Sequence, residues 1–460
     1  MEKAMNNLWR KHIPVERTGK LCYHYCSEHS DLPIRDVLAD HHDGKKAEPN
    51  YETATYNLCR SCNQRSVRAA VKDGLSHILF ITKYTGQKSE YRGRYFIVGY
   101  YEIGWTAQVA ECTAIRAERV SFTPIDRAYE VTDDRWRRIN PRGRTLKLEN
   151  LRQATQRIKG DLLNEIIDHL DRGDDTDAYL REVACLKAEY NPFDSVPRGR
   201  VFIINVGANT ASPLQSPVFE DGTFEFMPIP EYEPLDSQEV LSFDDLRQFN
   251  HPDKPLLDLF PRPAISLAEK VHNDPEFLTF TYGDNIQQKG KLRDLQPGDF
   301  LFFLARLVPY NNNRFEHEKA YFALVGYLEI AELLKDPDSP FFTSPAFARN
   351  AHIRRWRVNP ASFDKFVVFK GSNNSRRFKY AVPFDQRFVE DVQLLDAHGK
   401  PWEWGRTTDL GVIGSYTRTA RMHIDLETTE GREQAERFWN TIWEAQKWSE
   451  EGGRKRGGCQ

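Results

Sequence analysis

Two rhythms of apolar residues alternate along this chain. From Asn63 to Asp73 the spacing is helical, and it stops near Gly74, a residue suited to ending a helix. His77 to Ile81 is then an apolar run of β type, Thr85 to Ser89 turns the chain, and Tyr95 to Ile103 predicts a second, longer strand. Leu162, Leu163, Ile166, Ile167 and Leu170 return to helical spacing within a stretch from Leu146 to about Tyr190, interrupted by the acidic turn Asp171 to Asp175. Asn191 to Pro197 reads as a linker, after which strands resume at Val201 to Asn209 and Ser216 to Glu231. A final helix is predicted around Phe438, Trp439, Ile442, Trp443 and Trp448.

The long strand occurs twice. Tyr95-Phe-Ile-Val-Gly-Tyr-Tyr-Glu-Ile103 is repeated as Tyr321-Phe-Ala-Leu-Val-Gly-Tyr-Leu-Glu-Ile330 with one inserted residue. The strand before it, starting at His77, has its counterpart in Gly298 to Phe303. Downstream, Arg135-Trp136-Arg137-Arg138-Ile139-Asn140-Pro141 is echoed by Arg355-Trp356-Arg357-Val358-Asn359-Pro360. Three matching blocks in one order predict an internal duplication.

Composition changes this picture little. The 460 residues suffice for about three domains, and 28% charged with 40% hydrophobic residues is ordinary for a globular protein. No apolar run approaches membrane-spanning length and the N-terminus lacks a signal-peptide core, so a cytoplasmic location is expected. The net charge of -3 does not announce a nucleic-acid binder, but its distribution is uneven. Arg135 to Lys159 holds nine basic residues against Glu149 alone, and Arg349 to Lys379 holds nine against Asp364 alone. Such stripes can hold a phosphate backbone or can be solvated faces. No Walker loop, dinucleotide fingerprint or Ser-His-Asp signature is present.

The densest chemistry lies between Cys22 and Asn63. Cys22 and Cys26 precede Asp40-His41-His42, and Cys59 and Cys62 follow Asn57. Four cysteines in two close pairs are the ligand set of a tetrahedral structural Zn²⁺, for which His24 and His29 are near enough to compete. Cys112, Cys185 and Cys459 are scattered and expected to be free. The order of these residues resembles the HNH nuclease module, a ββα-metal fold whose ends a cysteine-type zinc often clamps. The resemblance implies His41 as the general base and Asp40 as a ligand of a catalytic Mg²⁺ or Mn²⁺. It implies Asn63 as the other ligand and Asn57 as the residue that steadies the base-bearing loop. His42 is the alternative base. The chain departs from the family in its Cys-x3-Cys spacing, in Asp43-Gly44-Lys45-Lys46 where a proline is usual, and around Ser66 where a lysine is usual. A zinc-held interaction knuckle is the plainer alternative.

The spelling Pro-Gly-Asp, apolar strand, loop, Val-Gly-Tyr-x-Glu-Ile resembles the PUA superfamily of small β-barrels, with its EVE, ASCH, YTH and SRA members. Members commonly read modified bases, which implies stacking and edge-binding roles for Trp136, Arg137 and Asn140 and for Arg354, Trp356 and Asn359. A tryptophan that completes a barrel core is the competing reading. From about residue 199 past Trp356 the spelling resembles the nucleotide modification associated domain of the third type. Asn205, Asn209, Asp221, Glu225 and Glu231 are its polar residues near strand ends, and Asp221-Gly222 also suits a hairpin turn.

The expected fold class is α+β. Residues 1–73 form a zinc-bound HNH-like module, 74–150 a first PUA-like barrel and 151–198 a helical spacer and linker. Residues 199–460 form the modification-associated domain, with a second barrel and a C-terminal helix. The expected activity is modification-dependent cleavage of double-stranded DNA, as in restriction and phage defence, by a homodimer that has no membrane contact. Base modification and non-catalytic reading of modified nucleic acid are the rival activities.

Overall fold

A computed structural model describes residues 9–24, 49–58, 65–86, 88–109, 112–141, 145–147, 157–186, 191–193, 198–207, 214–231, 241–260, 270–285, 290–336, 339–363, 366–372, 374–394 and 421–456. The chain forms two compact units, one drawn from residues 1–186 and the other covering nearly all of 187–460. Both mix sheets with helices, as the α+β expectation requires.

In the first unit the elements are β1 (Arg10–Lys11), β2 (Thr18–His24), β3 (Thr55–Leu58), α1 (Arg65–Lys72), β4 (His77–Lys83), β5 (Tyr95–Val109), β6 (Cys112–Phe122), β7 (Tyr129–Glu130), α2 (Asp133–Ile139), β8 (Ile158–Lys159), α3 (Gly160–Arg172) and α4 (Thr176–Leu186). The sheet runs β3-β6-β5-β4-β2-β8, with β1 and β7 also on β5. The segment expected as a separate module therefore contributes β2 and β3 to the same sheet as β4 and β5. The 146–190 stretch is helical only in part, since Ile158–Lys159 pairs with β2 before α3 begins. Nor do its helices stand apart as a spacer. Leu163, Ile166, Ile167 and Leu170 of α3 lie in one core with Leu21, Tyr100, Tyr129 and Trp136.

The second unit contains β9 (Arg200–Val206), β10 (Ser216–Val218), β11 (Ile229–Pro230), β12 (Val271–His272), β13 (Thr281–Asn285), β14 (Phe300–Asn311), β15 (Arg314–Phe315), β16 (Tyr321–Leu334), α5 (Ala351–Val358), β17 (Phe366–Gly371), β18 (Arg376–Pro383), α6 (Gln386–Val392), β19 (Arg421–Asp425) and α7 (Thr429–Arg456). Its main sheet runs β13-β17-β16-β14-β9-β19, with β18 also on β16.

The two sheets repeat one topology, residue by residue. β2 lies parallel to β4 as β9 lies parallel to β14, and Cys22↔Phe80 corresponds to Ile204↔Phe303. Phe80 faces Gly99 and Phe303 faces Gly326, and in each pair the register shifts at the next residue. Thr55↔Arg116 matches Thr281↔Lys370, and Ile97↔Tyr129 matches Leu324↔Val382. Thr132 and Asp385 then cap α2 and α6 three residues after Tyr129 and Val382. The repeat extends to a tight turn that sequence reading missed. Asn50-Tyr51-x-Thr53-Ala54-Thr55-Tyr56 corresponds to Glu276-Phe277-x-Thr279-Phe280-Thr281-Tyr282. Ala54 and Phe280 both have φ 52°, and their carbonyls accept from Ala117 N (2.8 Å) and Gly371 N (2.7 Å).

Two expectations are corrected. Among the described residues neither sheet closes into a barrel. The last strand, β8 or β19, adds outside β2 or β9 and extends the sheet at that edge. The Trp136 and Trp356 blocks are not equivalent positions. The first forms α2 after the sheet strands β6 and β7, whereas the second forms α5 between β16 and β17.

His77 gives the first unit a pH dependence. It is buried at the position that Phe300 occupies in the second sheet, since His77↔Glu102 matches Phe300↔Glu329. Burial, assisted by Arg17 and Arg119, lowers its pKa from 6.5 to about 4. The unfolded chain therefore takes up this proton first, and stability present above pH 6.5 is lost as pH falls through 4. The loss is about 3 kcal/mol at most. His77→Phe should flatten this part of the profile, read as hydrogen-exchange protection of peptides from β4 and β5 between pH 7 and 4.5.

Candidate functional site

The best-defined cluster of reactive side chains lies in the second unit, where three elements converge. The β11–β12 ladder pairs Ile229 with His272 and Pro230 with Val271, and Glu231 N donates to Lys270 O (3.1 Å). This sets the Glu231 carboxylate beside the His272 ring, with Oε2 3.2 Å from Nδ1. Two residues on, Asp274 accepts from the Gly283 amide of β13 at 3.1 and 2.8 Å. The third element is α5. Its N-cap Asn350 accepts from His352 N (2.9 Å) and donates its side-chain amide to Asp274 Oδ1 (3.4 Å).

Helical spacing does the rest. His352 and Arg355 are three residues apart, so one helix face presents both. Arg355 Nη2 donates to Glu231 Oε1 (2.6 Å) and Oε2 (2.8 Å), while His352 Nε2 lies 3.2 Å from Asp274 Oδ2. His272 Nε2 is 4.0 Å from the same oxygen, and the two imidazoles meet edge to face at 4.7 Å. A Cβ at position 283 would collide with the His352 ring, so glycine is required for this approach. Only His272 and Arg355 reach the surface, each with 12% of the side chain exposed.

The electrostatics are consistent with that geometry. Burial alone would raise the Glu231 pKa, but hydrogen bonds from His272 and Arg355 outweigh it and hold the carboxyl near 2. Burial, with the adjacent His352, lowers the pKa of His272. A neutral His272 that donates from Nδ1 to Glu231 keeps its Nε2 lone pair on the side of Asp274 and His352. Two imidazole nitrogens and a carboxylate oxygen thus gather within 4.8 Å of one another, a donor set of the kind that holds metal ions.

The residues singled out in the sequence have varied places. Cys26, Asp40, His41, His42, Cys59, Cys62 and Asn63 lie outside the described residues, as does Asn209. Cys22 is buried in β2, with Sγ 3.1 Å from the Tyr56 hydroxyl, and Asn57 follows Tyr56 in β3. Trp136 is buried in the first unit's core, so its ring is not presented to a base. Arg137 pairs with Asp134 (3.0 Å), and Asn140 ends α2. Trp356 is half-buried against Phe342, with ring centroids 4.3 Å apart, and lies on α5 one turn beyond His352. Arg354 is half-buried and Asn359 is exposed as the C-cap. Asp221-Gly222 is the hairpin turn, with Gly222 at φ 85°, and Glu225 is a buried acceptor for Phe249 N and Asn250 N.

Among the described residues, several cations of the basic stripes are paired with acids or buried. In the first, Arg138 pairs with Glu165, Arg157 with Asp73 and Lys159 with Glu16. In the second, Arg377 is buried between the rings of Phe224 and Phe249, and Lys370 is buried and donates to Thr279 O. Of the cluster residues, sequence reading named Glu231 and, within the Trp356 block, Arg355. The spacing His272-x-Asp274 was the available signal, but His352 is distant in sequence and only the fold unites them.

Residues 200–407 match the family model for nucleotide modification associated domain 3, and the whole cluster falls within the match. The description of that family associates it with nucleotide modification. No curated protein and no solved structure matches the chain.

Two substitutions test the packing. Trp136→Ala should cost about 3–5 kcal/mol and the half-buried Trp356→Ala distinctly less, read from denaturant midpoints of each unit. Arg355→Ala leaves Glu231 buried without its cation and should cost about 3–5 kcal/mol. Adding Glu231→Gln to that variant should restore part of the loss in a double-mutant cycle.

Proposed function

We propose that this chain acts on DNA carrying modified bases, as a modification-dependent endonuclease. The observation that carries the reading is the match of residues 200–407 to nucleotide modification associated domain 3. The second unit would engage the altered base, with Trp356 as the stacking residue and Arg354 and Asn359 near it. The half-buried ring of Trp356 supports this choice over Trp136.

Strand cleavage is assigned to the stretch from Cys22 to Asn63. His41 or His42 would take the proton of the attacking water. Asp40 and Asn63 would hold a Mg²⁺ or Mn²⁺ ion that polarises the scissile phosphate, and Asn57 would steady the loop. Cys22, Cys26, Cys59 and Cys62 would clamp the stretch through Zn²⁺. The 3.1 Å approach of Cys22 Sγ to the Tyr56 hydroxyl places Cys22 beside a side chain of β3, the strand that precedes Cys59 in the sequence. One such site per chain would cut both strands most simply as a homodimer.

A second reading is favoured by the His272, Asp274 and His352 cluster inside the matched region. In it the second unit alters the base chemically and the N-terminal stretch only binds DNA. One experiment separates the two. Purified protein with Mg²⁺ or Mn²⁺ is offered DNA containing methyl-, hydroxymethyl- or glucosyl-cytosine beside unmodified DNA. Cutting confined to a modified substrate, and abolished by His41→Ala or His42→Ala but not by Trp356→Phe, is the expected outcome. Base conversion without strand breaks would replace this reading with the second, and binding with neither activity would leave a reader of modified DNA.

A further inference from the structure

We propose that His272, Asp274 and His352 bind one divalent first-row transition-metal ion, held in place by Glu231, Arg355 and Asn350. The inference concerns the second unit alone and does not depend on the nuclease assignment.

The first argument is distance. His352 Nε2 and His272 Nε2 stand 3.2 and 4.0 Å from Asp274 Oδ2. Nitrogen and oxygen ligands about 2.0–2.1 Å from a tetrahedral ion lie about 3.3–3.4 Å from each other. The observed spacing brackets that value, and all three ligand atoms lie within 4.8 Å of one another. The second argument is charge. Asp274 and Glu231 are two buried carboxylates of this cluster, and the Arg355 guanidinium is committed to Glu231. A divalent ion beside Asp274 would add positive charge to that pair of carboxylates.

The third argument is the surrounding shell. Metal-bound histidines characteristically donate their second ring nitrogen to a carboxylate, and Glu231 stands at His272 Nδ1 in that role. Asn350 and the Gly283 amide orient Asp274 from its other side. His272 and Asp274 therefore each have their own support, which side chains meeting by accident would not need.

Donor type narrows the ion. Two imidazoles and one carboxylate without thiolate suit Zn²⁺ or Fe²⁺, whereas Mg²⁺ prefers all-oxygen sites. Three protein ligands leave coordination positions for water or substrate, and the partial exposure of His272 and Arg355 gives the opening.

The test uses the full chain, stripped with chelator and titrated anaerobically with Co²⁺. A cysteine site announces itself by intense near-ultraviolet thiolate charge transfer, and a His/His/Asp site gives visible ligand-field bands without it. The expected result is one Co²⁺ equivalent of the second kind, lost in His272→Ala, Asp274→Ala and His352→Ala. Glu231→Gln, with its fold checked by circular dichroism, should weaken that equivalent about 10- to 100-fold. Zn²⁺ should displace it at far lower concentration than Mg²⁺. Absence of such an equivalent, or its full retention in folded Glu231→Gln and in a folded ligand variant, would overturn the proposal. Equal displacement by Mg²⁺ would overturn the transition-metal assignment.

Discussion

Each unit depends on a close crossing of strands at one glycine. At Gly99 β5 meets Phe80 on one side and the backbone of Phe122 on the other, with the Tyr51 hydroxyl against the space a Cβ would fill. At Gly326 the neighbours are Phe303, the Arg376 carbonyl and the Phe277 ring. The register shift follows immediately in both sheets. A strand register decides which side chains face inward, so fixing it at one point fixes every position along the strand. The turn at Ala54 or Phe280 and the cap at Thr132 or Asp385 then recur in the same places.

On that shared frame the two units differ in what they carry. The second inserts α5 between β16 and β17, where the first has only a short connection. This insertion supplies His352 and Arg355, while the β11–β12 ladder, without a counterpart among the described residues of the first unit, supplies Glu231 and His272. Glu231 is the joint between them. Its carboxylate takes two bonds from Arg355 and one from His272, so the hairpin and the helix are held by a buried ion pair whose members satisfy each other. Charges buried this way are costly unless paired, and here the pairing also aims the two imidazoles at Asp274.

The sequence by itself determined the strands at His77 and Tyr95, the repetition of the latter at Tyr321, the helix before Gly74 and the turn at Asp221-Gly222. Local hydrophobic spacing and turn chemistry carry those signals, and neither needs a distant partner. It also marked residues 200 onward as related to nucleotide modification, because that spelling is contiguous. Tertiary structure decided the rest. Trp136 and Trp356 share a spelling, yet one fills a core and the other is half-exposed, because their helices leave the sheet at different strands. The basic stripes were legible as charge, but which acid each cation pairs with depends on the fold, because Glu165, Glu16 and Glu231 are remote in sequence from Arg138, Lys159 and Arg355. The meeting of His272, Asp274 and His352 is of the same kind: ligand convergence is a distance in space, set by the pairing of β11 with β12 and the capping of α5, and no periodicity along the chain encodes it.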